Sequence, residues 1–353
     1  MGQFTEDVLC KDVFINFKEE HFKLINQKSI KKGAVISHFD LDGTGGAIMT
    51  SLAMHVDSKH IYFCGYDNVN QTALNVFNLI EKGELDFCVF TDISVSEQVA
   101  ERAEMLSSRG YAIALLDHHP TATSLNRYKW AIVYDGTGVN NGKMCGTSMA
   151  FEAFRGIIFR AYKKNLTPLS EYIRLYDTWE WNNDPDALQS QEALNYNDLH
   201  HIYGQKEFYN KVMAHIVNTN GSEPLFNEAD KALIAAFDKK KKNYIYKKLR
   251  TLAPDIRTDM NGNKFIILFA EEHVNDLSTA VHKKYPELDY VAIIMDGWKV
   301  SLRRRHGEVD LGEFAKQFGG GGHAPAAGFE LSTTFKDDFN EMIDHAFHGK
   351  YNK

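Results

Sequence analysis

From Gly33 onward, short apolar runs alternate with longer amphipathic stretches. Runs at 34–37, 60–65, 86–90, 111–116 and 130–134 read as strands. Helical periodicity fills the intervals near 46–55, 72–81 and 96–109, and a glycine-rich turn separates the first strand from the first helix. Parallel strands need a crossover connection, so strands spaced by helices predict a parallel α/β sheet. The runs are nearly continuous in apolar residues, the pattern of strands covered on both faces. Two further helices are predicted over 145–163 and 169–181. From about 184 to 254 the pattern is helical and more polar, with a lysine run at 239–242. A second α/β pattern follows, with strands over 264–269, 290–295, 299–302 and 329–331. Its helices fall over 275–284, 311–318 and after 335, and a four-glycine loop occupies 319–322.

The expected fold class is therefore α/β: an N-terminal, mostly parallel five-stranded sheet flanked by helices, a helical linker, and a smaller C-terminal α/β domain. The expected boundaries are a helical extension over 1–32, a first domain over 33–183, a linker or insertion over 184–261 and a second domain over 262–353. A length of 353 residues suits two domains.

Composition narrows the classes. Hydrophobic residues at 44% and charged residues at 25% exclude a disordered chain. The balance of 40 Lys and Arg against 47 Asp and Glu leaves a net charge of −7. Such a chain is a poor coater of duplex DNA, whose non-specific binding needs positive surface. There is no run of 18 apolar residues, and the N-terminus lacks a basic segment followed by an apolar one. Cys10, Cys64, Cys88 and Cys145 form no CxxC pair, and three of them sit in apolar surroundings. A cytoplasmic, disulfide-free protein is the expectation.

The chemistry lies in where the acids and histidines fall. His38, Asp40 and Asp42 follow the first strand at alternate positions, which in extended chain share one face. Asp92 follows the third strand, and Asp117, His118 and His119 follow the fourth. Asp177 ends an apolar helix. In open α/β sheets the carboxyl ends of the strands are where ligands bind. Converging carboxylates repel and together need cations, and a mixed His/Asp set suits Mn²⁺, Mg²⁺ or Zn²⁺. These are more donors than one ion needs, so the pattern suggests two ions about 3.5–4 Å apart. Helix capping explains Asp42 or Asp92 singly, but not the whole set.

Three other motifs compete. Asp40-Leu41-Asp42-Gly43-Thr44 fits the DxDGT signature of haloacid-dehalogenase-type phosphatases, with Asp40 as nucleophile, but no later acidic pair suits that family's magnesium. An EF-hand loop begun at His38 fails at its twelfth position, Met49. The glycines at 43, 45 and 46 lead to no Gly-Lys-Ser/Thr.

The run His38-Phe39-Asp40-Leu41-Asp42-Gly43, then Thr91-Asp92, then Asp117-His118-His119, then Asp177, resembles the four motifs of the DHH phosphoesterase family. Val300-Ser301-Leu302-Arg303, followed by Gly319-Gly320-Gly321-Gly322-His323-Ala324-Pro325, resembles that family's DHH-associated C-terminal domain. The resemblance covers about 33–181 and 262–350, and is nearest in kind to the NrnB-like oligoribonucleases.

The resemblance implies a two-metal site in the cleft between the domains. His38 and Asp40 would bind one ion, Asp42, His118 and Asp177 the other, and Asp92 both. Asp117 would orient the histidines, and His119 would contact the scissile phosphate. Arg303, His323 and the backbone of Gly320, Gly321 and Gly322 would hold the substrate's far end. The implied cofactors are two divalent ions, Mn²⁺ first, with Mg²⁺ or Co²⁺ as alternatives. The implied activity is hydrolysis of short oligoribonucleotides or dinucleotides to 5′-mononucleotides.

The implied partner is a short single-stranded RNA or dinucleotide, with no membrane and no duplex DNA; whether the chain forms a homodimer stays open. Alternatives are a cyclic-dinucleotide or phosphoadenosine-phosphate phosphatase of the same family, the haloacid-dehalogenase-type phosphatase, and a non-catalytic nucleotide-binding regulator. Arg304 and Arg305 depart from the usual small polar residue after the Ser-Leu-Arg run. The lysine run reads as a solvated helix face, and Trp179 and Trp181 as packing beside the last motif. His21, His55, His200, His201, His273 and His282 lack acidic company and receive no role.

Overall fold

The computed structural model describes residues 32–134, 143–252 and 255–347. The expected helical extension lies outside the described residues apart from Lys32. The chain divides into two compact units between Phe237 and Asp238.

The first unit is built on β1 (Gly33–His38), β2 (Ile61–Cys64), β3 (Phe87–Thr91), β4 (Ala112–Asp117) and β5 (Ala131–Val133). They form one parallel sheet in the order β2-β1-β3-β4-β5. Alternation along the strands splits the interior into two layers. Val35, Val89, Ala114 and Leu116 face one core, and Ala34, Ile36, Cys88, Phe90, Ile113 and Leu115 the other. Helices α1 (Leu41–Met54), α4 (Gly146–Phe154) and α5 (Lys163–Asp177) cover the first face. Helices α2 (Val69–Glu81) and α3 (Glu97–Ser108) cover the second. Cys64, Cys88 and Cys145 are free thiols within these layers.

Helix α1 begins at Leu41, inside the segment expected as a glycine-rich turn. The Asp40 carboxylate caps it by accepting the Gly43 N–H at 2.9 Å. Glycine costs about 1 kcal/mol in a helix relative to alanine. Here the glycines are needed because the helix passes so close to its neighbours. A Cβ at Gly45 would fall 2.2 Å from Thr147 Oγ1, and one at Gly46 2.8 Å from the Thr91 side chain. The helix expected over 145–163 stops at Phe154, and α5 starts at Lys163 with Pro168 inside it.

The segment expected as a linker is divided between the units. Helices α6 (Leu188–Tyr203) and α7 (Gln205–Thr219) bury Tyr196, Leu199, Phe208, Val212 and Ile216 in the core that also holds α1 and α4. Residues 184–237 thus pack as part of the first unit. Helix α8 (Glu228–Thr251) runs across the division. Its later half packs Tyr244, Ile245 and Leu249 against Ile266, Leu277 and Ile293 of the second unit.

That unit comprises β6 (Arg257–Thr258), β7 (Lys264–Phe269), α9 (Val274–Lys284), β8 (Tyr290–Ile294), β9 (Lys299–Arg303), α10 (Leu311–Lys316), β10 (Gly321–His323), β11 (Ala326–Glu330) and α11 (Thr333–Phe347). The mixed sheet runs β10-β11-β9-β8-β7-β6, with β7 and β8 its parallel pair. The expected four-glycine loop is partly strand, because Gly321–His323 pairs antiparallel with 326–328. Among the described residues no helix is long and apolar enough to cross a membrane.

Candidate metal centre

Strands β1, β3 and β4 are neighbours in the sheet, so their carboxyl ends bring three motifs to one edge. His38 is the last residue of β1, and Asp92 comes directly after β3. Asp117 ends β4, and His118 and His119 follow it. The first turn of α1 carries Asp42 back to the same edge, and the end of α5 supplies Asp177.

Local structure fixes each side chain. Both Asp42 oxygens accept N–H groups at the start of α4, from Gly146 at 2.6 Å and Thr147 at 2.8 Å. A carboxylate at a helix N-terminus is favoured by the exposed N–H groups there. Position 146 has to be glycine, since a Cβ would lie 2.5 Å from that of Asp92. Asp92 adopts the left-handed conformation at φ 58°, which Asp and Asn tolerate better than most residues. Its N–H donates to the Leu116 carbonyl at 2.9 Å, which ties it to β4.

The donor atoms converge. His118 Nε2 lies 3.2 Å from Asp92 Oδ1, 3.5 Å from Asp177 Oδ2 and 3.6 Å from Asp42 Oδ2. His38 Nδ1 lies 2.9 Å from Asp40 Oδ2 and 3.8 Å from Asp92 Oδ2. Three sets keep their donor atoms within 4.8 Å of one another: His38, Asp40 and Asp92; Asp42, His118 and Asp177; and Asp92, His118 and His119. Asp92 belongs to two of them.

The electrostatics tests whether these residues suit a cation. Asp92 Oδ2 is buried and accepts no hydrogen bond. Burial, and then the carboxylates of Asp42, Asp40, Asp177 and Asp117, push its pKa well above the carboxylate range. Asp177 is pushed up to about 7, chiefly by burial and against the pull of His118. A buried carboxylate oxygen without a donor, among like charges, is costly unless a cation joins it. The donor set fits divalent ions.

Asp117 and His119 form a separate ion pair. His119 Nδ1 lies 2.7 Å from Asp117 Oδ1. Burial opposes charge on both, but their mutual bond outweighs it. It raises His119 to about 9 and lowers Asp117 to about 2. Asp117 Oδ1 also accepts the His118 N–H at 2.8 Å, and Ser94 Oγ donates to Oδ2.

A linkage prediction follows from Asp177. Between about pH 4 and 7 the metal-free folded protein keeps a proton here that the unfolded chain has lost. Its stability contribution is therefore lost as the pH rises through that window. A cation held by Asp177 must displace the same proton, so Mn²⁺ affinity should rise with pH through this window. Titration calorimetry in buffers of differing ionisation enthalpy would check this. Mn²⁺ at 100 times its Kd should also stabilise the fold by about 2.7 kcal/mol. A pH-independent affinity would refute the assignment of Asp177 to the donor set.

In the second unit, the register pairs both Arg303 and His323 with Ala326, one from each side. Directly paired residues share a sheet face, so both project from the same face of β9-β11-β10. Arg303 Nε donates to Asn275 Oδ1 at 2.8 Å and Nη1 to the Leu302 carbonyl at 2.9 Å. Gly320, one of the expected substrate contacts, is held by the backbone around it. Its N–H donates to the Ala315 carbonyl at 3.0 Å, and a Cβ there would lie 2.1 Å from the Gly328 oxygen. It closes the turn after α10. Gly321 has nothing within 4 Å of the Cβ position. The extra Arg304 is tied to its own loop, donating to the Ala324 and Gly307 carbonyls.

Several supporting residues carry no local sequence signal. His200, left without a role above, reaches Thr44 Oγ1 at 3.0 Å, and Thr44 donates to the Asp40 carbonyl at 2.7 Å. Burial lowers His200 to about 4, so it is neutral and braces the start of α1. Trp181 stacks on Tyr176 at 6.5 Å and 11°, with Trp179 beside it at 5.7 Å. In the lysine run, Lys241 is buried with Nζ 3.8 Å from Asp276 Oδ1, and Lys242 pairs with Asp238 at 2.7 Å.

A family model described as the DHHA1 domain matches residues 229–349. Over 302 residues the chain is 31% identical to Oligoribonuclease NrnB of Bacillus subtilis (strain 168), covering 84% of this chain and 72% of that protein. Among solved structures, the PF0399 DHH domain, a member of the s1p family of ribosomal proteins, aligns with a TM-score of 0.58 at 13% identity, covering 96% of this chain and 92% of that one. Exonuclease RecJ bound to manganese aligns at 0.53 and 16% identity, covering 92% of each chain. These two likenesses are of fold.

Proposed function

The chain belongs to the DHH phosphoesterase family, and from that premise we propose that it is a metal-dependent phosphodiesterase that hydrolyses short oligoribonucleotides to 5′-mononucleotides. The observation that carries this reading is the convergence of His38, Asp40, Asp42, Asp92, His118 and Asp177 on one sheet edge, with Asp92 in two donor sets and its buried Oδ2 accepting no hydrogen bond. His38, Asp40 and Asp92 would hold one divalent ion, and Asp42, His118, Asp177 and Asp92 the second. Bound there, such ions supply an acidified water and positive charge beside the phosphoryl oxygens.

The chain's own groups do the rest. Asp117 holds His119 at Nδ1, 2.7 Å from its Oδ1, and His119 would contact the scissile phosphate. In the metal-free protein the bond to Asp117 raises His119 to about 9, and a protonated His119 would stabilise negative charge developing on a phosphoryl oxygen. Arg303, His323 and the backbone at Gly321 and Gly322 would grip the far end of the substrate. Mn²⁺ is the first candidate metal. The phosphatase reading with Asp40 as nucleophile has less room. One Asp40 oxygen accepts the Gly43 N–H and the other faces His38.

The deciding experiment is a panel assay with Mn²⁺. It compares a 5′-phosphorylated RNA dinucleotide, a five-residue RNA, a cyclic dinucleotide, 3′-phosphoadenosine 5′-phosphate, pyrophosphate and long single-stranded DNA. The short RNAs should turn over fastest, and faster hydrolysis of pyrophosphate or long DNA would overturn the reading. A trapped phosphoenzyme on Asp40 would favour the phosphatase instead. In the same assay, His323→Ala should raise KM for the dinucleotide about tenfold, the scale of one charge-assisted hydrogen bond, with kcat little changed. Arg303→Ala should act likewise. An unchanged KM in both, with unchanged melting temperature, removes them from substrate binding.

A further inference from the structure

Two aromatic rings flank the donor cluster and remain open to solvent, Phe39 at 50% exposure and Tyr66 at 56%. Single exposed apolar residues are ordinary on protein surfaces. These two differ in what they stand beside. Phe39 lies between His38 and Asp40 in the chain, and its ring centroid is 4.4 Å from that of His38. Tyr66 follows β2, whose last residue Cys64 is in register with His38. The Tyr66 ring is 5.8 Å from His38, and stands edge-on to His119 at 6.2 Å. Burial of its hydroxyl, and then the carboxylates of Asp117, Asp92, Asp40 and Asp177, push its pKa up. Both rings thus border the histidines of the site.

The chain takes trouble to put them there. Gly65 donates its N–H to Asn68 Oδ1 at 3.0 Å and accepts the N–H groups of Asn68 and Val69 at 3.2 and 3.0 Å. That turn fixes Tyr66 at the sheet edge. A Cβ at position 65 would come within 3.2 Å of the Phe39 ring and 2.7 Å of Asp67 Oδ1. The missing side chain leaves space for the Phe39 ring to lie against the turn. Exposed aromatic faces do not stabilise the fold by burial. Next to a centre that fits phosphodiester chemistry, they match a ligand group that is flat, apolar and tethered near a phosphate. A nucleobase is such a group, one sugar away from its phosphate.

We propose that Phe39 and Tyr66 form a nucleobase subsite, on which the base adjoining the scissile phosphate stacks. The inference rests on the phosphodiesterase reading of the same site and adds how a nucleotide is told from other phosphates. Stacking is tolerant of base identity because every base has a π-face. The subsite therefore demands a base without choosing which one, as an enzyme clearing mixed short RNAs requires. Pyrophosphate and sugar phosphates gain nothing from it.

The test has a kinetic arm and a binding arm. In Mn²⁺, wild-type kcat/KM for an RNA dinucleotide should exceed that for the same substrate with an abasic residue beside the scissile phosphate by roughly five- to a hundredfold, the scale of one stacked base. In the double variant Phe39→Leu, Tyr66→Leu that ratio should fall to near one, and Phe39→Trp, Tyr66→Trp should restore it. A ratio that stays at the wild-type value in the leucine variant overturns the subsite. The binding arm uses 2-aminopurine riboside 5′-monophosphate with Mg²⁺, whose fluorescence is quenched by stacking and which needs no hydrolysis. Quenching should appear with wild type and the tryptophan variant and vanish with the leucine variant. Absence of quenching in wild type, or its persistence in the leucine variant, overturns the proposal. If wild type hydrolyses no dinucleotide at all, the oligoribonuclease reading fails on its own, and the quenching still decides whether the rings hold a base.

Discussion

Asp92→Asn should reduce Mn²⁺-dependent hydrolysis by at least about a thousandfold, the order of magnitude lost with a preorganised charge-stabilising group, while making the metal-free fold no less stable. The two effects have one cause. Asp92 is buried, shared by two donor sets and surrounded by four carboxylates that push its pKa well above the usual range. In the metal-free protein that raised pKa means the folded state holds a proton the unfolded chain releases near pH 4. Its stability contribution is present at low pH and is lost as the pH rises through the folded pKa. The amide mimics the protonated acid, so the variant should gain on wild type as the pH rises. Asparagine also tolerates the left-handed φ of 58°, which alanine would not, so Asp92→Ala mixes in backbone strain. Assay of turnover with Mn²⁺, together with thermal melts in chelator from pH 5 to 8, checks both halves. Wild-type turnover in the variant would sink the metal assignment.

Gly43→Ala should destabilise the protein by about 3 kcal/mol or more, beyond ordinary overpacking, and should abolish Mn²⁺ binding. The added Cβ would lie 2.1 Å from the His38 carbonyl oxygen and 2.6 Å from its carbon. These are backbone atoms at the end of a central strand, so no side chain can swing aside. Relief requires moving the start of α1, which breaks the Gly43 N–H bond to Asp40 and displaces Asp42 from α4. Gly156→Ala is the control, because nothing lies within 4 Å of its Cβ position. Denaturant midpoints and calorimetry with Mn²⁺ would separate the two. A Gly43→Ala protein with wild-type midpoint and metal affinity would show that the close approach is not required.

Much of this molecule was legible before folding because it depends on short-range pattern. Strand cores such as 86–90 and 264–269 read directly as apolar runs, since a strand covered on both faces has no polar positions to confuse it. The ligand-type residues were legible for a related reason. A parallel sheet sends every strand's carboxyl end to the same edge, so acids and histidines after successive strands must meet. What misled was glycine. The run at 43–46 reads as a turn by propensity, yet it is the first part of a helix, because contact with Thr91, Thr147 and the His38 backbone outweighs propensity. The four glycines at 319–322 read as a loop, yet 321–323 form an edge strand.

The sequence by itself determined the parallel order of chemistry along the chain: which strands end in acids and histidines, and hence which residues meet at one edge. Tertiary structure alone decided the state those residues are in. Burial of Asp92 among carboxylates, the bracing of Asp40 by Thr44 and His200 across more than 150 positions, and the placing of Tyr66 beside His119 are all long-range contacts. Local pattern carries no record of them, because side-chain period reports only which face a residue takes, not what the opposite element brings to it.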